Sequence, residues 1–183
     1  MTHDHGHRTR HEPTPFGSRV SKPDCFKVFE VTGSAALADL YSYWRSKCGN
    51  RKMPARSDID PVEIPQYLPE VFIAEVHQPL RFRFRLVGSR ICDRWNENYT
   101  GKWLDELDLG AERTAAIAQY EALARSGEPR YDHVEFQSAD GRYLRYWRLL
   151  LPLSADGQVP NMILGMQIES MAGDLPGEAT RWI

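Results

Sequence analysis

Arg148 stands in the run Trp147-Arg148-Leu149-Leu150-Leu151. A guanidinium among large apolar side chains is costly to bury without a partner. A ligand carboxylate or other anion would engage its planar fork through two parallel hydrogen bonds. An internal carboxylate such as Asp105 or Glu106 would answer the same need, as would a head that reaches past its neighbours to water. Buried charges in cores are usually paired within the protein.

His133 lies next to Asp132 and two residues from Glu135. This is the only grouping in which general acid–base chemistry can be sought, and adjacent strand residues point to opposite faces. A strand histidine can hold haem or a metal, but a lone one is more often packed or half exposed. His77 falls in a turn. His3, His5, His7 and His11 sit in a polar, Pro-rich start. Neutral imidazoles bind transition metals, yet an unfolded tail fixes no coordination geometry, so a solvated tail is the simpler reading. Cys25, Cys48 and Cys92 are too few and too widely spaced for a disulfide framework or a zinc site, and suit the reducing cytoplasm. Gly-rich phosphate loops, G-x-S-x-G, C-x-x-C and H-E-x-x-H are all absent. No catalytic residue, metal site or cofactor is therefore nominated.

Composition narrows the classes further. The 183 residues suffice for one domain with a core and a tail. A net charge of −2 gives no general field for nucleic acid or a membrane surface. No apolar run approaches the roughly 20 residues of a membrane span, and the polar start lacks a secretory core. The expected divisions are a disordered tail over 1–24, one domain over 25–170, and a loose end over 171–183.

The elements follow from pattern. Ser34 to Lys47 reads as an amphipathic helix, with Ser34 as N-cap and Gly49 just past its end. Leu37, Leu40, Tyr41 and Trp44 form its apolar stripe, which requires a partner surface in this chain or in a second copy. Phe26 to Val31 reads as a short edge strand. Asp60-Pro61 opens a helical turn that stops before Pro65. Val71–Val76 and Arg81–Val87 read as a hairpin. In its second strand Phe82, Phe84 and Leu86 alternate with Arg81, Arg83 and Arg85. The arginine row is an anion-binding face or, more simply, a solvated one that protects a sheet edge. Ser89 is expected to cap a short helix carrying Ile91 and Trp95. Trp103, Leu104 and Leu107 mark another, and Ala111–Ser126 a longer one ending at Gly127. Three strands follow, Tyr131–Ser138, Tyr143–Leu153 and Val159–Ile168, joined through Asp140-Gly141 and Asp156-Gly157.

The sum is an α+β domain. A five-stranded antiparallel sheet carries the N-terminal helix on one face and the helices of 89–126 on the other. The middle strand of the last three is apolar on both faces, as a sheet covered on both sides requires. Between the inner face and its helices a pocket would be walled by Phe82, Phe84, Trp95, Trp103, Ile117, Tyr120, Tyr146, Arg148 and Leu150. A one-residue change of phase would swap Tyr146 and Arg148 for Trp147 and Leu149. The alternative is that these aromatics fill the interior completely and leave no cavity.

Several stretches resemble a family. They are Leu40-Tyr41-Ser42-Tyr43-Trp44-Arg45, Met53-Pro54-Ala55-Arg56-Ser57-Asp58-Ile59-Asp60-Pro61, Arg85-Leu86-Val87-Gly88-Ser89-Arg90-Ile91, Thr100-Gly101-Lys102-Trp103-Leu104-Asp105-Glu106-Leu107 and Arg145-Tyr146-Trp147-Arg148-Leu149-Leu150-Leu151-Pro152-Leu153. In this order, over about 34–169, they are similar to small bacterial single-domain PAS proteins. The resemblance implies a PAS-like fold and a sensory or regulatory role, with no reaction and no catalytic residues to carry over. The cysteine motif of flavin-binding light sensors of this fold is absent. The expectation is a non-catalytic cytoplasmic module that binds a small molecule or a protein partner. It would act as a homodimer through Leu37, Leu40, Tyr41 and Trp44 and signal in trans, for example to a kinase or phosphorelay protein. The alternatives are a small lyase- or isomerase-type enzyme using the helix-lined cavity, and an adaptor without a ligand.

Overall fold

The computed structural model describes residues 28, 30, 32–138 and 140–170. The two terminal tails, with His3, His5, His7, His11, Cys25 and Trp182-Ile183, lie outside them.

The first long helix, α1, runs Ala35–Cys48. Ser34 caps it as expected: its side chain accepts from the Leu37 backbone N–H, and Gly49 follows at φ 56. The stripe of Leu37, Leu40, Tyr41, Trp44 and Cys48 is buried. The expected edge strand over 26–31 is corrected. Val28, Glu30 and Thr32 are helical, with Thr32 Oγ1 donating to the Val28 carbonyl four residues back. Phe26, Phe29 and Val31 lie outside the described residues.

The sheet comprises β1 (Val71–His77), β2 (Arg81–Val87), β3 (Arg130–Gln137), β4 (Tyr143–Leu153) and β5 (Met162–Glu169). All neighbours are antiparallel, in the order β2-β1-β5-β4-β3. Gly141 and Gly157 carry positive φ in the two Asp-Gly turns. Asp156 Oδ1 accepts from Ser154 Oγ and from the N–H groups of Gln158 and Val159, and these bonds hold its carboxyl down to about 2.

Two helices belong to the other layer. Helix α2 runs Ser89–Trp95 and helix α3 runs Arg113–Ser126. The cap of α2 is Gly88 rather than Ser89, which is already helical and supplies no side-chain cap bond. A Cβ on Gly88 would meet the Pro69 carbonyl oxygen at 2.3 Å, so the chain enters α2 where only glycine fits. Helix α3 starts two residues later than expected, because Gly110–Glu112 forms a 3-10 turn ahead of it.

The sheet therefore separates two cores. On the outer face α1 and residues Met53, Ile59 and Ile64 pack on Val71, Ile73, Trp147, Leu149, Leu151, Leu153, Leu164 and Met166. Trp44 Nε1 donates to the Pro152 carbonyl at 2.9 Å. On the inner face Ile91, Tyr99, Leu104, Leu107, Ala116, Tyr120 and Leu123 cover Phe72, Ala74, Phe82, Phe84, Leu150 and Ile163. The segment from Ser89 to Ser126 thus lies across the platform.

At the sheet's centre the Phe72 ring lies over Gly165. A Cβ there would stand 2.0 Å from Phe72 Cζ. Forcing a methyl into that contact shifts a core ring, so Gly165→Ala is expected to cost about 1–3 kcal/mol in urea denaturation.

Candidate functional site

The inner face of β3, β4 and β5 carries a polar row. Register places Asp132 opposite Arg148 and Arg148 opposite Gln167, so the three stand side by side across adjacent strands. Arg148 is 3% exposed and Gln167 is also buried. Asp132 holds the guanidinium with both oxygens, from Nε at 3.0 Å and from Nη2 at 2.5 Å. Its own side chain remains 21% exposed, so the row opens towards solvent at the β3 end.

Aromatic residues close over the row. The Arg148 guanidinium lies 5.3 Å from the Tyr120 ring centre. Burial lifts the phenols of Tyr120 and Tyr146 well above their usual range, although the Arg148 charge works against that. Both stay neutral at any ordinary pH. Burial would lower the Arg148 guanidinium, but the Asp132 carboxylate beside it works against that and the guanidinium is raised. Trp95 Nε1 donates to Gln167 Oε1 at 3.2 Å. Burial also raises the Tyr99 phenol well above its usual range. The cluster offers a buried ion pair and hydrogen-bonding groups, and its three phenols are kept neutral by burial.

The structure gathers most of the expected pocket residues. Phe82, Phe84, Tyr120, Tyr146, Arg148 and Leu150 are all buried on the helix-covered side. Trp147 and Leu149, the other phase of β4, pack on the outer core. Trp95 is half-buried, 6.2 Å from Tyr146, and Ile117 packs at the margin. These walls touch one another: Phe82 and Tyr120 are 5.3 Å apart and Phe84 and Tyr99 are 4.8 Å apart between ring centres.

Trp103 lies elsewhere. It bridges to Arg83, its ring sits 4.2 Å from the Arg81 guanidinium, and it meets His77 edge-on at 5.0 Å. It belongs to the arginine side of β2 because it precedes the 3-10 turn Leu104–Glu106 instead of joining its apolar stripe. The arginines there are engaged. Arg81 pairs with Asp105 and Glu106, Arg83 with the Gly101 carbonyl and Arg85 with Glu75. Asp105 and Glu106 thus serve Arg81, and Arg148 takes Asp132 instead. The backbone of 101–102 also pairs with Phe84, covering part of the free edge of β2.

The His133 grouping does not assemble. His133 pairs with Trp147 in register and its Nε2 lies 2.8 Å from Ser170 Oγ. Asp132 points to the other face, and Glu135 is held by Arg145. Cys48 and Cys92 have thiols raised by burial, in Cys92 with help from Asp93, so neither is an activated nucleophile. Among the described residues no group of three or more His, Cys, Asp or Glu is placed to hold a metal, and no helix is long and apolar enough to cross a membrane.

Leu37, Leu40, Tyr41 and Trp44, the expected dimer stripe, are buried on the chain's own sheet. As placed, none of them is available to a second copy.

Two members of the cluster escaped sequence reasoning. Gln167 is the one non-aliphatic polar residue inside Met162–Ile168, the same kind of signal as Arg148. Tyr99 lies in a turn segment, Asn98-Tyr99-Thr100-Gly101, whose burial has no periodic signature.

A family model described as PAS domain matches residues 32–168. No curated protein matches the chain. Among solved structures it is similar to the LOV protein of Rhodobacter sphaeroides, at 14% identity and a TM-score of 0.47, over 61% of this chain and 68% of that one. It is similar to the PAS domain of Bordetella pertussis BvgS at 18% identity and 0.47, over 61% and 84%. The LOV domain of the Erythrobacter litoralis EL346 blue-light activated histidine kinase matches at 15% and 0.46, over 56% and 96%.

Proposed function

We propose, from the premise that the chain belongs to the PAS domain family, that it is a sensory module whose inner-face cluster receives a small molecule bearing a carboxylate or similar anionic group. The observation that carries this reading is Arg148, a buried guanidinium whose counter-charge, Asp132, sits at the open end of the row. A ligand anion arriving from that end takes the fork of Arg148 and releases Asp132 to water.

The signal in this reading is a shift of α2. That helix buries only one residue, Ile91. Trp95 also packs its ring against Tyr99, Phe136 and Tyr146, and the remaining ties are polar. Arg94 pairs with Glu70, Trp95 with Gln167, and Arg142 donates to the carbonyls of Arg94 and Trp95 at 2.8 and 2.6 Å. In this reading those polar ties are exchanged while Ile91 and Trp95 keep their apolar contacts, so the shift of α2 is a small one. Output passes in trans to a separate cytoplasmic protein, a kinase or phosphorelay component. Dimerisation through Leu37, Leu40, Tyr41 and Trp44 is not part of the proposal, since the sheet already covers them.

Native mass spectrometry of the purified protein, repeated after adding a panel of small carboxylates, tests the reading. The expected result is an adduct that Arg148→Met combined with Asp132→Leu abolishes while the circular dichroism spectrum is kept. Bare polypeptide under every condition, or an adduct indifferent to that pair, overturns it.

A further inference from the structure

Helix α2 ends between two gaps. One of about 620 Å³ lies on its Asp93 and Arg94 side, and one of about 290 Å³ on the side of Trp95, Asn96 and Glu97. Arg142 lines both. It stands just before β4, in the turn from β3, where the Ser138 N–H donates to its carbonyl at 2.9 Å.

A helix leaves its last carbonyls without intrahelical partners. Here the Cys92 and Asp93 carbonyls are met locally, by the N–H groups of Glu97 and Asn96. Asn96 makes that turn in the left-handed region, at φ 53. The next two carbonyls are met from the other strand layer. Arg142 donates from Nη1 to the Arg94 carbonyl at 2.8 Å and from Nη2 to the Trp95 carbonyl at 2.6 Å. A guanidinium also suits the negative end of a helix. Its remaining side is fixed as well: Asp140 takes Nε at 2.7 Å with one oxygen and the Ser138 hydroxyl with the other. Arg142 is thus a clasp, held by its own turn and closed on the end of α2.

The hairpin that carries the clasp also carries the Asp132–Arg148 pair. Its register runs without a break from Gln137 opposite Tyr143, at the turn, to Asp132 opposite Arg148. Hydrogen-bonded ladders of this kind can carry a displacement from one end to the other. We infer that Arg142 is the tie through which the inner-face site sets the position of α2. The β3–β4 hairpin is the lever, acted on at Asp132 and Arg148 and gripping α2 at its turn. This route rests on the reading of that pair as the sensing site. The competing route is Gln167, which stands beside Arg148 in register and accepts from Trp95. It offers one neutral bond at 3.2 Å against two charge-assisted ones, and so the weaker grip.

Hydrogen exchange of the purified protein, read over residues 89–97, separates the two routes. Arg142→Met is expected to speed exchange there about ten-fold, with α3 and β4 unchanged. Asp140→Asn should give a smaller rise and add nothing to Arg142→Met, because Asp140 reaches α2 through that arginine. Arg148→Met with Asp132→Leu should change exchange over 89–97 at least about two-fold while Arg142 is present, and leave it unmoved once Arg142 is methionine. The inference is overturned if Arg142→Met leaves 89–97 as it was or speeds the whole chain equally. It is equally overturned if the inner pair still acts on α2 without Arg142, which would assign the route to Gln167. No ligand enters these measurements, so their outcome is separate from that of the adduct test.

Discussion

Replacing Asp132 by alanine will destabilise the fold by about 3–5 kcal/mol, read as a fall in the urea midpoint at an unchanged slope. The size follows from what is left behind. Arg148 is buried on β4 between apolar neighbours, and Asp132 supplies both of its strong hydrogen bonds. Tyr120 and Tyr146 cannot replace that carboxylate, since burial keeps their phenols neutral. The truncated protein must hold an uncompensated guanidinium or open the layer above it, and either route is costly. Arg148→Met together with Asp132→Leu removes both charges and keeps much of the volume. Its expected cost is within about 1 kcal/mol of zero, because replacing a buried ion pair by apolar groups is often neutral. A cycle in which the double change costs as much as Asp132→Ala alone would show that the row contributes through its packing and not through its charge.

That pair also shows which parts of the molecule were legible in the sequence. Period, caps and turn residues are local, and they gave α1, the β1–β2 hairpin and both Asp-Gly turns, whereas the face that β4 turns to the helices stayed open because that strand is apolar on both sides. The partner of Arg148 is a matter of register. Counting outward from the turn that pairs Gln137 with Tyr143, five steps bring Asp132 opposite Arg148. The information was present, but only once the loop length was fixed. Trp103 was misplaced for another reason: a tryptophan beside Leu104 and Leu107 looks like core, whereas its ring is held by the arginine above it. The end of β1 had no sequence signal at all: β1 stops pairing at Val71 while β5 continues along β4 to Glu169, and periodicity does not report where a neighbour stops.

The α1 stripe poses a question that pattern alone leaves open, whether an amphipathic helix covers its own sheet or a second copy's, and Trp44 answers it. The indole is 2% exposed, 5.9 Å from the Tyr41 ring, and donates to the Pro152 carbonyl of β4. Trp44→Ala is expected to cost about 3–5 kcal/mol, the usual loss for removing a large aromatic from a core. Trp44→Phe retains most of the apolar contact and drops the hydrogen bond, for about 1 kcal/mol. If α1 belonged to an interface between copies, the same truncation would act on association. The unfolding midpoint would then rise with protein concentration, and the mass in solution would fall on mutation. With the helix on its own sheet, unfolding of both wild type and Trp44→Phe is expected to be independent of protein concentration. The mass measured by light scattering should be the same for the two. A midpoint that climbs across a hundred-fold range of concentration, about 2.7 kcal/mol in the concentration term, would return the stripe to the role of a dimer contact.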